Sequence, residues 1–290
     1  MIRYVLAGTV LLLLPLAAGR AAETPAPPTS QHAVTPDVVY GHKAGMALFY
    51  DVFRPGEANG AAVAFMMSGG WFSRWRPPAQ RVAWFEHLLD AGFTVFAVHH
   101  GSAPRFKVPE AVDDVRRAVR HIRMHAAEYG IDPERIGVHG GSAGGHLSLM
   151  LGLAGDAGDA DAEDPVERVS SRVQAVVALF PPVDLTRIVG PSERFPALDF
   201  DPALAADVSP IGFASADDPP VLLIHGDEDE LVPLANSEGM SAALDEVGLA
   251  NEVIVIEGAG HGFRGADQLR SREETVRFFR RHLVGSPGNE

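Results

Sequence analysis

The residues best suited to act together chemically are a serine between glycines, an acidic turn and a histidine between glycines. The serine lies in Gly140-Gly141-Ser142-Ala143-Gly144. A serine hydroxyl becomes a nucleophile when a base takes its proton and the backbone lifts it clear of its surroundings. Flanking glycines permit so sharp a turn, because side chains there would collide with the strand before it and the helix after it. The pentapeptide alone is weak evidence, since glycine-rich strand-to-helix turns also bind phosphate. A second segment, Ser68-Gly69-Gly70-Trp71, can bring backbone N–H groups close to a substrate oxygen. Acyl transfer needs such preorganised donors for its oxyanion. Gly70 or Trp71 is the expected first donor, and Ala143, next to Ser142, the second. The acidic turn is His225-Gly226-Asp227-Glu228-Asp229-Glu230, where four carboxylates compete and spacing alone leaves Asp227 and Asp229 open. One of them would hold a histidine's tautomer and stabilise its cation. That histidine is His261, in Gly258-Ala259-Gly260-His261-Gly262-Phe263. It would serve as general base and then as general acid near neutral pH.

Each of these four segments follows a stretch that reads as a strand, which is where active sites lie in open α/β sheets. The strand-like stretches before them are 61–67, 135–139, 221–225 and 251–256, and 46–54, 93–98 and 173–180 are further strands. Helical stretches alternate with them at 78–91, 109–128, 143–153, 236–247 and 272–283. That alternation predicts a mostly parallel central sheet with helices on both faces. Val112, Val115, Val119 and Ile122 form the apolar stripe of one helix, which places Arg116, Arg117, Arg120 and Arg123 toward water. His121 and His125 on that helix read as surface residues, whereas His99, His100 and His139 end strands and can line a site. The irregular, Pro- and Asp-rich stretch 189–218 reads as a small lid-like insertion over one sheet end.

The remaining features narrow the class. The chain has 290 residues, a formal charge of −14 and no cysteine. Disulfides, thiol catalysis and a lipid-modified cysteine are thereby excluded, and nucleic acid is disfavoured as a partner. Arg3, the apolar run from Val5 to Leu14 and the small residues Ala17, Ala18, Gly19, Ala21 and Ala22 follow the order of a secretory signal. The run is short for a membrane span and is interrupted by Pro15. Residues 1–22 are therefore expected to be a signal peptide, 23–36 a Pro-rich linker and 37–285 one catalytic domain, exported without a stable membrane anchor. The acidic run 155–168 reads as a solvated loop. Asp159, Asp161 and Glu163 alternate as calcium ligands can, but the full calcium-loop spacing is missing, so no metal is assigned.

Taken together, the motifs resemble the α/β-hydrolase superfamily, and within it the bacterial esterase and lipase branch that includes acetyl-xylan and feruloyl esterases. The resemblance covers roughly residues 45–284 and rests on GGSAGGH around Ser142, HGDEDELVP from His225, GAGHGF around His261, FPPVDL from Phe180 and the Ser209-Pro210 pair. It implies an α/β-hydrolase fold and a triad of Ser142, Asp229 and His261, with the second aspartate of the acidic turn as the catalytic one. Two departures stand out. SGGW, with Ser68, replaces the usual HGGG or HGGxW segment, and the usual strand-end Tyr-Arg followed by an Ala-Pro appears as His99-His100-Gly101-Ser102-Ala103-Pro104.

The expected function is an exported carboxylic-ester hydrolase that needs no cofactor and acts on a small-molecule or polymer-derived ester through an acyl-enzyme. Trp71, Phe72 and Trp75 are candidate substrate contacts, able to wall an acyl pocket or stack on a sugar or phenolic ring, or else to pack beneath the insertion. The rival readings are a peptidase of the prolyl-oligopeptidase kind and a non-catalytic binding module on the same fold. Oligomeric state is not legible from the sequence.

Overall fold

Central strands that are apolar along their whole length must be covered on both faces, and alternation along each strand decides which core a side chain joins. In this computed structural model, whose described residues are 32–285, eight strands form one sheet. They are β1 (Ala33–Lys43), β2 (Met46–Arg54), β3 (Ala62–Met66), β4 (Thr94–Val98), β5 (Ile136–Gly141), β6 (Ala175–Leu179), β7 (Val221–Gly226) and β8 (Asn251–Ile256). Their order is β1-β2-β4-β3-β5-β6-β7-β8. Only β2 opposes the rest, running antiparallel to β1 and β4. The helices are α1 (Val82–Leu89), α2 (Val108–Met124), α3 (Ala126–Tyr129), α4 (Ala143–Leu153), α5 (Ala235–Glu246) and α6 (Gly265–Phe279). Ala62, Ala64 and Met66 of β3 pack into one core with residues of α2, α4 and α5. Val63 joins the opposite core with Phe85 and Leu88 of α1 and Phe278 and Phe279 of α6.

The chain passes from β3 to β4 on one side and returns to β5 on the other. A crevice forms where the winding direction reverses, at the carboxyl ends of the strands. Ser68-Gly69-Gly70-Trp71 follows β3, and Ser142 follows β5, so the switch point puts them side by side.

Three expectations are corrected here. Ala33 to Pro36, read as the end of a linker, are the first residues of β1. This strand has a single partner, and its register shifts between Thr35 and Val38. A sheet edge tolerates a proline and a bulge, which is why the sequence there carries no alternating pattern. Second, α6 starts at Gly265, seven residues before the helical reading that began at Arg272. Its first turns are polar and carry no apolar stripe. Third, the arginines of α2 do more than face water. Arg117 Nη1 is 2.7 Å from carboxylates of both Asp164 and Glu167, and Arg120 pairs with Asp156 and Glu167. Arg123 donates to the carbonyls of Ser170 and Arg172. The acidic run is therefore clasped onto α2 and is not a free loop. Among the described residues, no group of three or more His, Asp or Glu side chains is placed to hold a metal ion.

Within the described residues, no helix is long and apolar enough to cross a membrane. The signal-like segment and most of the Pro-rich stretch lie outside them.

Candidate active site

Ser142 stands between β5 and α4 with φ 55° and ψ −122°, a backbone conformation that side chains other than glycine rarely adopt. The surrounding glycines make that turn possible. A Cβ on Gly140 would lie 2.5 Å from the backbone of Gly144, and one on Gly144 would lie 2.7 Å from the Met66 carbonyl. Strand, turn and helix can approach this closely only without side chains at those two positions.

Asp229 and His261 reach the serine from two neighbouring strand ends. His261 Nε2 is 3.0 Å from Ser142 Oγ, and its Nδ1 is 2.7 Å from Asp229 Oδ2. The buried Asp229 accepts from the Leu231 and Val232 N–H groups through Oδ1, each at 2.9 Å. His225 Nε2 lies 3.3 Å from Oδ2 as a second partner. With this carboxylate on Nδ1, His261 carries its proton there and leaves Nε2 free to accept from the serine. Asp227 is exposed and turned away; its Oδ1 accepts from the Gly258 N–H at 2.7 Å. Gly226 lets the two loops cross, because a Cβ there would sit 2.1 Å from the Ala259 carbonyl.

The segment after β3 forms a tight turn. Gly69 and Phe72 exchange N–H···O bonds of 3.1 Å, and both Gly70 and Trp71 have φ 58°. No acceptor among the described residues takes the N–H groups of Gly70, Trp71 or Ala143. They are the three N–H groups that the sequence offers as candidate oxyanion donors.

Two histidines hold this turn in place. His100 Nδ1 donates to the Gly101 carbonyl at 2.9 Å, so its Nε2 accepts from Ser68 Oγ, also at 2.9 Å. His146, one turn into α4 from Ser142, donates from Nε2 to the Val208 carbonyl at 2.7 Å and accepts from the Trp71 indole at 3.4 Å. The two departures noted in the sequence are thus one arrangement. His100, from the end of β4, sets its imidazole against the Ser68 hydroxyl. Neither contact is legible from spacing.

Residues 50–244 match the family described as BD-FAE. The chain belongs to the BD-FAE family. It is similar to Esterase LipQ of Mycobacterium tuberculosis, 31% identical over 263 residues that cover 86% of this chain and 62% of that protein. The probable carboxylic ester hydrolase LipM of the same organism is 32% identical over 250 residues, 80% of this chain and 57% of that protein. The chain therefore spans about three fifths of the length of these curated relatives. Among solved structures it is similar to propionate-bound esterase 2 of Thermogutta terrifontis, with 27% identity, a TM-score of 0.74 and coverage of 91% of this chain and 98% of that one. A truncated carbohydrate esterase from gut microbiota has 28% identity and a TM-score of 0.70 over 85% of this chain and 95% of that one. The fold is that of the α/β-hydrolase esterases.

In this BD-FAE chain a cavity of about 700 Å³ reaches the site at Ser68, Gly69, Gly141 and Phe180. The Phe180 ring packs on His261 with centroids 4.7 Å apart, and Phe263 backs it at 5.2 Å. Of the three aromatic candidates, Phe72 lines the cavity. Trp75 does not; it is 52% exposed, and Trp84 of α1 takes its place in the wall. Trp71, 4% exposed, packs into the core against His146 and supports the turn from below. On the other side Phe195, from the 189–218 insertion, lies over Gly70.

Burial holds His100, His139 and His146 down at about 4, against about 6.5 in an unfolded chain. His121, read as a surface residue, is held down in the same way, and its Nδ1 meets the Tyr50 hydroxyl at 2.8 Å. Between those values the unfolded chain binds protons that the fold excludes, so stability falls as pH falls through this window. For each fully buried histidine the gap corresponds to roughly 3 kcal/mol at its acid end. A few such groups rival the ~5–15 kcal/mol that holds a domain together. The melting temperature is expected to drop steeply between about pH 6.5 and about pH 4. Circular dichroism melts across that range measure it, and a flat profile would contradict neutral burial of these rings.

Proposed function

We propose that this chain hydrolyses carboxylic esters through an acyl-enzyme formed on Ser142. The observation carrying the reading is the unbroken relay from Asp229 Oδ2 through His261 to Ser142 Oγ, with links of 2.7 and 3.0 Å. His261 Nε2 takes the hydroxyl proton as Oγ attacks the ester carbonyl. Asp229 orients the ring and stabilises the imidazolium. The N–H groups of Ala143 and of Gly70 or Trp71 receive the oxyanion. His261 then returns the proton to the departing alcohol, and water releases the acid by the same route. The names of the relatives favour short acyl groups or carbohydrate-linked esters as substrates. Export belongs to the same reading and rests on the signal-like order of residues 1–22.

Labelling with a fluorophosphonate probe tests the reading, together with an assay on 4-nitrophenyl acetate. Label on the peptide containing Ser142 and loss of hydrolysis in step with labelling are expected. A folded protein that neither takes the label nor cleaves the ester would overturn the reading.

His100 acts in this scheme as a positioning residue, through Ser68. His100→Ala is expected to lower kcat about 10- to 100-fold with a smaller change in KM, because the oxyanion turn loses one of its two anchors while its donors remain. His100→Gln, whose amide oxygen can accept from Ser68, should recover part of the loss. Steady-state kinetics of the two variants check this, and an unchanged kcat in His100→Ala would deny the role.

A further inference from the structure

Acids outnumber bases in this chain, 38 to 24. The cavity beside the candidate site reverses that balance. Arg74, Arg76, Arg81 and Arg272 line it, and no Asp or Glu does. Arg74 and Arg76 come from the segment just after the oxyanion turn, and Arg272 comes from α6. Among the described residues, no carboxylate pairs with Arg74, Arg76 or Arg272 within 4.0 Å. Arg81 is 1% exposed, and its Nε has no hydrogen-bond partner among the described residues. Its two terminal nitrogens bond His99 and the Arg74 carbonyl, which ties the base of the cavity to the loop that carries Arg74. The rest of the wall is largely apolar, with Phe65, Phe85, Leu179, Phe180 and Phe263.

Unpaired guanidinium groups gathered around an aromatic cavity are matched by a ligand with an apolar body and an anionic end. Arginine suits a carboxylate in particular, because its planar fork can donate two parallel hydrogen bonds. The long-range field of a net-negative protein repels an anionic substrate, so acceptance of one depends on local cations of this kind.

We propose that the ester taken by this site carries an ionised carboxylate on an apolar body, and that Arg74, Arg76 and Arg272 meet that charge in the cavity beside Ser142. This rests on the esterase reading and names the class of its substrate. The carboxylate can belong to the acyl part or to the alcohol part of the ester, and paired substrates separate the two.

The acyl pair is 4-nitrophenyl adipate, with its free carboxylate, against 4-nitrophenyl hexanoate. The alcohol pair is 4-acetoxybenzoate against 4-methylphenyl acetate. In one of the two pairs, kcat/KM for the charged ester is expected to exceed that of its neutral partner about tenfold at low salt. The ratio should fall toward one in high salt, which screens such contacts. It should also fall toward one in the Arg74→Gln/Arg76→Gln/Arg272→Gln variant, whose folding is checked by its melting curve. The readout is the ratio within a pair, so a general loss of activity in the variant does not mimic the effect. If the neutral esters are cleaved but both ratios stay near one, or if the ratio survives removal of the three arginines, the charge preference is refuted while the esterase reading stands. If no ester of either pair is cleaved, the esterase reading fails and this inference with it.

Discussion

Replacing Ser142 by alanine is expected to lower kcat on a short-chain ester by roughly 10⁴- to 10⁶-fold. Oγ is the only atom removed, and it is the atom 3.0 Å from His261 Nε2. The oxyanion donors and the cavity remain, so a residual rate above that of water is expected from them alone. Folding should be undisturbed, because Ser142 Oγ makes no contact on which a core depends. Ser142→Gly separates chemistry from strain. It should be equally inactive, yet melt at a higher temperature, since φ 55° is costly for a residue with a Cβ and not for glycine. Kinetics and melting curves of the two variants in parallel check both halves. A folded Ser142→Ala protein that keeps a tenth or more of the activity would end the case for this nucleophile.

Asp229→Asn is expected to cost about 10⁴-fold in kcat, and Asp227→Asn about twofold or less. In the first variant the amide oxygen can still accept from Leu231 and Val232. The amide NH₂ then faces His261 Nδ1 and favours the tautomer whose Nε2 is protonated, which cannot receive the serine proton. In the second, the carbonyl oxygen of asparagine can keep the bond to the Gly258 N–H at an exposed turn. The two substitutions remove the same charge two residues apart, so any general effect of charge appears in both. Equal losses would mean that the acid has been misassigned.

These two aspartates also mark how far the residues alone could be read. Of the four acids in that turn, spacing leaves Asp227 and Asp229 open, and only the family resemblance points to Asp229. The fold separates them physically. The Asp229 side chain turns inward under the Leu231 and Val232 N–H groups, toward the loop after β8, whereas Asp227 turns outward to cap that same loop at Gly258. Other features lie hidden from the sequence for a similar reason. β1 carries no legible signal because a bulged edge strand shows no alternation. Helical spacing turns the α2 arginines toward water, because it says which way a side chain points and not what crosses in front of it.

By itself the sequence determined the alternation of strands and helices, the sharp turn at Ser142 and the glycine segments that bear His261 and the candidate oxyanion donors. Those features depend on local sterics, on a missing Cβ or on a two- or 3.6-residue period, and a short window of residues contains all that decides them. Only the tertiary structure decided that His100 holds Ser68 across 32 positions, that His146 holds Trp71 across 75, and that arginines from two distant segments face one cavity. Such contacts follow from the order of β4, β3 and β5 in the sheet. That order is set by the packing of the whole chain, and no stretch of residues short enough to carry a motif contains it.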